Sequence, residues 1–332
     1  MSEEILKKLG VKIGHYTDEV NLKGTTVFVA EEGAQIGIDV RGSNTGTFNT
    51  PMYGAKGTAE IMNAVVLTGG STFGLESVMG AMQYLEEHGI GYKTRAALIP
   101  GMVGAVIYDL AVGNGRVRPG KKEGYKAASN ASYRNLQQGN VGVGTGATVG
   151  KWFKGKNMKG GFGIAFSELP EDIVVVAFVV TNSLGDIVNP NTGKFYMDEG
   201  GYDLNDKKIK DKVTKLSGLI DLSPKNTTLS VIATNVAMDR RQLMKVAELA
   251  HDGMARAIFP VHTMMDGDVV FALSSLSGEH KSVPGTLGET LIDLVGIAAQ
   301  DALMKAIKNS ILHAKDIDNF PSYKTIQNPP NR

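Results

Sequence analysis

The apolar positions of this chain follow two periods. Runs of apolar residues bounded by glycine or polar turn residues predict buried strands at 65–67, 105–108, 173–180, 228–235 and 269–273. Apolar residues recur at helical spacing on one face of the segments 73–85, 240–258 and 287–307. This mixture predicts an α/β protein, in which helices sandwich the sheets of one layered domain.

Two segments outside these elements look exposed. Residues 203–212 are charged and poor in large apolar side chains, which predicts a surface connection leading to Asn226. The last residues, from 319 onward, predict a loose or surface-draped tail. The chain of 332 residues is long enough for one large domain or two smaller ones, and the layered pattern favours one.

Charge and composition exclude several classes of protein. The 35 basic and 34 acidic residues nearly cancel without forming blocks, so neither nucleic acid nor an anionic membrane is an expected partner. The absence of cysteine removes disulfides, thiolate metal sites and cysteine nucleophiles. The N-terminus lacks a signal-peptide pattern, and no apolar run approaches the ~20 residues needed to cross a bilayer. We therefore expect a cytoplasmic protein whose partner is a small molecule or another copy of itself.

Common cofactor and metal motifs have little support. Residues 142–147 fit the loose dinucleotide pattern G-x-G-x-x-A, but no acidic residue follows at the right distance on a second strand. The six histidines show no paired ligand spacing, which predicts surface or core-edge positions for most of them. Ser71, after two glycines, is predicted to cap the helix that follows it. The expected chemistry therefore uses no cofactor and no metal.

The junction between Asn226 and Thr227 carries the most informative chemistry. A buried hydroxyl residue at the head of a core strand can attack the carbonyl just before it. Cleavage of this bond would leave Thr227 as a new N-terminus, with its hydroxyl as nucleophile and its own α-amine as base. The alternative is structural, namely a turn asparagine followed by an ordinary strand threonine.

Asp266 and Asp268 form a second candidate group. They are one residue apart, so in an extended segment both side chains point to the same side, where two carboxylates raise each other's pKa. One of them is expected to orient Thr227 or its amine, and the other to join an acid network or to pair with Lys151. An Asp-Gly-Asp hairpin turn is the structural alternative.

Four stretches in one order make these patterns specific: 146–152, 179–186, 226–229 and 266–268. Together they resemble the P1 peptidase family, which includes aminopeptidase/D-esterases, β-aminopeptidases and 6-aminohexanoate-oligomer hydrolases, or nylonases. The likeness is greatest to the nylonase branch, which has a self-cleaving Asn–Thr bond, a lysine between Gly150 and Trp152, and two aspartates one apart. Aminopeptidase members more often use serine as the nucleophile.

The resemblance implies a fold and a set of roles. It implies αββα layers of the N-terminal-nucleophile type, shared with ornithine acetyltransferases, in one domain, 1–332, that cleaves itself into chains 1–226 and 227–332. Thr227 matches the nucleophile, Lys151 the active-site lysine, Asn182 the residue that holds the oxyanion or the nucleophile, and Tyr108, less securely, a tyrosine near the site. Asp266 and Asp268 match the family's acidic pair. A tetramer of processed heterodimers is the implied assembly.

The implied reaction is amide hydrolysis through an acyl-enzyme on Thr227, with linear or cyclic 6-aminohexanoate oligomers as substrates. A free α-amine, near ~7.7–8 when unperturbed, has a pKa that suits proton transfer at neutral pH, and a nearby Lys151 would lower it. An aminopeptidase, a β-peptidyl aminopeptidase or a D-esterase of the same family is the alternative. An acyltransferase that uses Thr227, and an unprocessed ligand-binding or assembly protein, also stay open.

Overall fold

The computed structural model describes residues 3–152, 157–200, 226–278 and 288–329. The predicted connection at 203–212 and the end of the predicted tail lie outside these residues. The predicted helix at 287–307 is described from Gly288 onward.

The described chain consists of groups of strands separated by helices. The strands are β1 (Lys12–Asp18), β2 (Lys23–Val40), β3 (Thr47–Phe48), β4 (Ile61–Thr68), β5 (Tyr92–Lys93), β6 (Leu98–Ile99), β7 (Met102–Val106), β8 (Thr148–Val149), β9 (Met158–Lys159), β10 (Gly161–Leu169), β11 (Ile173–Asn182), β12 (Thr227–Thr234) and β13 (Val269–Ser275). The α-helices are α1 (Glu3–Leu9), α2 (Glu76–Glu87), α3 (Lys121–Ser129), α4 (Arg240–Ala257), α5 (Gly288–Leu312) and α6 (Tyr323–Gln327). Short 3-10 helices span Thr50–Tyr53, Ser71–Leu75, Gly142–Gly146 and Tyr196–Asp198.

Within the described ranges, a mixed sheet of nine strands forms the centre of the protein. Its order is β10-β11-β12-β13-β2-β4-β7-β3, with β1 also paired to β2. The long strand β2 joins two arms, because its first part pairs with β1 and β4 while its second part pairs with β13. The arms face each other across an apolar core, where the rings of Phe28 and Phe178 lie 5.1 Å apart.

Helices cover both outer faces of the folded sheet. The apolar faces of α4 and α5 pack on the arm formed by β10 to β13. The helices α2 and α3 pack on the other arm, formed by β4, β7 and the first part of β2. The layers are therefore helix, sheet, sheet and helix, which confirms the predicted αββα sandwich.

The hydrophobic periods located these elements but not all of their ends. The strand predicted to run through Tyr108 ends at Val106. The helix predicted from Phe73 begins as a 3-10 turn, and its α-helical part starts at Glu76. The prediction that Ser71 caps a helix was wrong. Ser71 is the first residue of the 3-10 turn, Gly70 occupies the capping position, and no side-chain capping bond forms there. None of the described helices is both long enough and apolar enough to span a membrane.

The strand order brings the predicted site residues to one end of the sheet. The strand β12 runs antiparallel to β11 and parallel to β13. Thr227, its first residue, therefore lies opposite Asn182, the last residue of β11. Asn226 pairs in parallel with Asp266, just before β13 begins, so this segment does not turn back as a hairpin.

Candidate active site at the start of strand β12

Two hydrogen-bond donors converge on the carbonyl oxygen of Asn226, at the bond predicted to break. The Thr227 hydroxyl donates to this oxygen at 2.5 Å, and the Gly267 N–H donates to it at 2.8 Å. Asn226 and Thr227 are buried, with 0% and 4% of their surfaces exposed. The Thr227 hydroxyl thus lies against a carbonyl that a backbone donor already polarises.

Gly267 makes this approach possible because it has no side chain. A Cβ atom at this position would lie 2.9 Å from Thr227 Oγ1 and 2.7 Å from the Asn44 carbonyl oxygen. Any other residue would therefore push the hydroxyl or the neighbouring backbone away. The sequence indicated the two aspartates that flank Gly267, but it gave no sign of a role for the Gly267 N–H group.

The direction of the N–H groups shows where an amine at Thr227 would lie. Asn226 N donates to the Met265 carbonyl oxygen at 3.2 Å, and Thr228 N donates to Asp268 Oδ1 at 2.7 Å. Both point toward β13. Since N–H directions alternate along a strand, Thr227 N points toward β11, where Asn182 is its partner in register.

Lys151 binds this same partner. Its ammonium group donates to the Asn182 carbonyl oxygen and to Asn182 Oδ1, both at 3.0 Å. Backbone bonds hold the lysine in place, because Gly150 N donates to the Gly185 carbonyl oxygen and Trp152 N to the Leu184 carbonyl oxygen. Burial lowers the pKa of Lys151 to about 7, against the opposing effect of nearby carboxylates. The Lys151 ammonium and the nitrogen of Thr227 therefore converge on one residue.

The amide of Asn182 makes three hydrogen bonds in this arrangement. Its Oδ1 accepts from Lys151 and, at 3.1 Å, from Thr148 N, while its Nδ2 donates to the Tyr108 carbonyl oxygen at 3.1 Å. Asn182 thus connects Lys151 to the backbone of Tyr108. The role of Asn182 toward an oxyanion or the nucleophile stays a prediction, because Nδ2 carries a second N–H group besides the one that binds Tyr108.

The two aspartates of the candidate group bind the backbone around Thr227. Asp266 accepts from Leu184 N at 3.2 Å, and its other oxygen accepts from the Thr263 hydroxyl at 2.6 Å. Asp268 accepts from Thr228 N and, through its second oxygen, lies 2.8 Å from His262 Nδ1. Both acids are 1% exposed.

Burial and the neighbouring charge of Asp268 raise the pKa of Asp266, in agreement with the predicted proximity of the two carboxylates. Sequence analysis did not identify His262 or Thr263, because neither belongs to a recognisable spacing motif. A turn just before Asp266 brings them to the acids. In this turn, Asp266 N donates to the Thr263 carbonyl oxygen.

A small cavity of about 130 Å³ opens beside the Thr227 hydroxyl. Its wall consists of short polar residues, one valine and one tyrosine: Asn44, Thr45, Gly46, Ser71, Thr72, Val106, Tyr108 and Thr227. The described part of this wall carries no acidic and no basic side chain. The sequence did not predict Ser71 and Thr72 as wall residues. The two glycines before them, Gly69 and Gly70, were the only sequence feature that marked this turn.

Elsewhere on the described surface, a larger open groove of about 1140 Å³ follows the start of α4 and shares no wall residue with this cavity. The described residues contain no cluster of three or more histidine or acidic side chains that could hold a metal ion. Thr227 belongs to the wall of the smaller cavity.

Solved structures with a similar fold define the class of the protein. An L-aminopeptidase D-Ala-esterase/amidase from Ochrobactrum anthropi, described as a variant of the Ntn hydrolase fold, superposes with a TM-score of 0.71 at 20% identity, over 96% of this chain and 89% of that one. The PH0078 protein from Pyrococcus horikoshii gives 0.69 at 21% identity, over 97% of this chain and 90% of that one. The protein thus has an Ntn-hydrolase fold.

Sequence comparison then identifies the family. The model of peptidase family S58 matches residues 5–324. An uncharacterized aminopeptidase of Mycobacterium bovis is 34% identical over 338 residues, covering 95% of each chain. A 6-aminohexanoate-oligomer endohydrolase of Kocuria sp. is 31% identical and covers 90% of this chain and 84% of its own. The chain belongs to peptidase family S58 and is an amide or peptide hydrolase.

Proposed function

We propose that this hydrolase activates itself by cleaving its Asn226–Thr227 bond, which gives chains 1–226 and 227–332. The observation that carries the proposal is the pair of donors on the Asn226 carbonyl oxygen, the Thr227 hydroxyl and the Gly267 N–H. One donor is the attacking group, and the other is placed to hold the negative charge that the attack produces.

Self-cleavage proceeds through an acyl shift. Thr227 Oγ1 attacks the Asn226 carbonyl carbon, the C–N bond breaks, and the hydroxyl proton ends on the Thr227 nitrogen. The resulting ester joins Asn226 to the side chain of Thr227. Water then hydrolyses this ester and releases the Asn226 carboxylate, so that Thr227 carries a free hydroxyl and a free amine.

Turnover uses the same atoms. The Thr227 amine accepts the hydroxyl proton as Oγ1 attacks the substrate amide, and the acyl-enzyme that forms is hydrolysed by water. Lys151 lies at the Asn182 carbonyl toward which the Thr227 nitrogen points, so its positive charge disfavours protonation of the amine. Asp266 and Asp268 hold the segment that carries the Gly267 N–H. Tyr108 contributes its ring to the cavity wall and its carbonyl to Asn182.

We propose 6-aminohexanoate oligomers as the substrate class. The Kocuria relative named as a 6-aminohexanoate-oligomer endohydrolase supports this assignment. The cavity supports it as well, because hydroxyl groups and Val106 suit an uncharged amide with methylene spacers. An assembly of processed heterodimers into a tetramer, as in the resembled family, is part of the same proposal, and mass measurement of the native complex tests it.

Aminopeptidase activity is the second candidate, and the names of the mycobacterial relatives favour it. An aminopeptidase must bind a substrate ammonium group, for which a carboxylate in the pocket is the usual partner. Hydrolysis of one 6-aminohexanoate oligomer with a free and with an acetylated amine separates the two functions. We expect similar kcat/KM for both forms, whereas an aminopeptidase would lose most of its rate on the acetylated form.

Intact-mass analysis of three proteins tests the self-cleavage. The wild type and Thr227→Ser should each yield two chains that stay associated, because both keep a hydroxyl at the junction. Thr227→Ala should yield one chain, with amide hydrolysis reduced by about 10⁴-fold or more. A continuous wild-type chain with full activity, or an active Thr227→Ala protein, would refute the proposal.

A further inference from the structure

Asp109 is a buried acid that the steps above do not use. It is 1% exposed and follows Tyr108 directly. Its Oδ1 accepts from Gly70 N at 2.7 Å, while its Oδ2 has no hydrogen-bond partner among the described residues. An unpaired buried carboxylate oxygen is costly, so its position requires a compensating charge or a function.

The space around this carboxylate is made by two glycines. A Cβ atom at Gly69 or at Gly146 would collide with Asp109 Oδ2. These glycines come from separate segments, one after β4 and one in the 3-10 turn before β8. The carboxylate therefore sits in a slot that closes around it from two sides.

Buried ammonium groups surround this slot. Lys23 Nζ donates to the Asp109 carbonyl oxygen at 3.1 Å, and Lys159 Nζ donates to the carbonyl oxygens of Gly144, Ala147 and Gly160. Lys23 and Lys159 are 1% and 0% exposed. Their hydrogen bonds to described residues go to carbonyl groups, which carry no net charge. Buried cations need a compensating negative charge, and Asp109 is the acid that lies among them.

The electrostatic effects extend to Lys151. Burial raises the pKa of Asp109 to about 6, while the charges of Lys23 and Lys159 oppose this rise. Asp266 and Asp109 both favour the ammonium form of Lys151, whereas burial disfavours it. Lys159, whose pKa burial lowers to about 7, experiences repulsion from Lys151. Among the described residues, the electrostatic effects thus connect Lys151 with Asp109, Asp266 and Lys159.

We propose that Asp109 is a positioning residue for the reaction at Thr227: its carboxylate supplies the negative charge that Lys23, Lys159 and Lys151 share, and its bond to Gly70 fixes the Ser71–Thr72 wall of the cavity. The inference rests on the proposed function, because it assigns Asp109 to the site where Thr227 acts. Asp109 works through Lys151 and through the cavity wall, without touching the substrate.

Asp109→Asn tests the charge while keeping the shape and the acceptor for Gly70 N. Without the negative charge, the ammonium form of Lys151 is less stable, so the alkaline limb of the kcat/KM profile should move to lower pH by about one unit. The matched control is Asp186→Asn, which removes another buried acid, 5% exposed, outside the group that acts on Lys151. The control should leave the limb in place.

A second variant gives the opposite sign and covers the case in which Asp109→Asn does not fold. Lys159→Gln keeps donors for the surrounding carbonyls but removes a positive charge near Lys151, so the limb should move to higher pH. A folded Asp109→Asn protein with an unshifted limb refutes the proposal. If only Lys159→Gln folds, an unshifted limb or a shift to lower pH refutes it.

A direct titration of Lys151 separates this proposal from the proposed function. The rate of its acetylation by acetic anhydride is measured against pH by peptide mass spectrometry, which needs no catalytic activity. Asp109→Asn should lower the midpoint of this titration by about one unit in the Thr227→Ala background as well. An unchanged midpoint refutes the role of Asp109 whether or not Thr227 proves to be the nucleophile.

Discussion

Lys151 and Lys159 have similarly lowered pKa values and different hydrogen-bond partners. Burial lowers the pKa of each to about 7, and Asp109 acts on both. The ammonium group of Lys159 binds three backbone carbonyls at 2.7 to 2.9 Å, which belong to the 3-10 turn before β8, to the residue that follows this turn, and to the residue after β9. The ammonium group of Lys151 binds Asn182, the residue opposite Thr227.

This difference shows that a shifted pKa alone does not identify a reactive lysine. Both side chains would be selected by their lowered pKa, yet only Lys151 binds the residue that lies opposite Thr227. The hydrogen-bond acceptors distinguish the two lysines. Lys159 binds only backbone carbonyls among the described residues, so we assign it a structural role. Lys151 shares its acceptor with the nitrogen that self-cleavage would convert into an amine.

Replacing each lysine by methionine tests this comparison most strongly. Lys151→Met should reduce self-cleavage and turnover by about 100- to 1,000-fold, because the charge beside Thr227 is lost. Lys159→Met should change the turnover per folded molecule far less. The measurements are the rate of appearance of two chains by intact mass and kcat/KM per folded protein. Equal losses in both variants would contradict the assignment of different roles.

The stability of the same two variants should show the reverse order. Lys159→Met removes the ammonium donor from three buried carbonyls and one of the two cations beside Asp109, at a cost of about 3 kcal/mol. Lys151→Met should cost less, because the Asn182 amide keeps its bonds to Thr148 and Tyr108. Urea unfolding in the uncleaved Thr227→Ala background measures both changes on a single chain. A larger loss for Lys151→Met would reverse the comparison.

The dependence of stability on pH offers a finer test of Lys159. Its folded-state pKa, about 7, lies below the ordinary value of 10.5, so between these values the unfolded chain binds more protons. Stability therefore rises with pH in this window, by up to ~1.4 kcal/mol per pH unit for each such lysine. In the Thr227→Ala background, Lys159→Met should reduce this slope between pH 7.5 and 9. An unchanged slope would show that Lys159 titrates normally.

Periodicity predicted the parts of the site that lie on regular elements. The alternation and length of the apolar runs located β11, β12 and β13, and the pairing of these strands brings Asn182, Thr227 and Asp266 together. The order of the four family-like stretches then identified Lys151. These residues were predictable because each has a side chain with a chemical signature and sits at a strand end or in a short loop beside one.

The missed features have no such signature. A backbone donor such as Gly267 N–H becomes visible only when the parallel pairing with Asn226 is known. The charges around Asp109 were also missed, because in the sequence Lys23 and Lys159 look like ordinary surface lysines of a nearly neutral protein. Burial depends on the tertiary structure, and a buried charged side chain needs a compensating partner that an exposed one does not need.

The smallest expected effect concerns Tyr108, whose backbone lies between Asn182, the acceptor of Lys151, and Asp109. Its carbonyl accepts from Asn182 Nδ2, while its neighbour Asp109 binds Lys23 through another carbonyl. Tyr108→Phe keeps the carbonyl and the ring, so self-cleavage should stay within a factor of about 3 of wild type. Substrate turnover should fall more, since the hydroxyl belongs to a residue of the cavity wall. Intact-mass kinetics and kcat/KM measured side by side separate the two steps, and an equal loss in both would assign the Tyr108 hydroxyl to the chemistry of Thr227 itself.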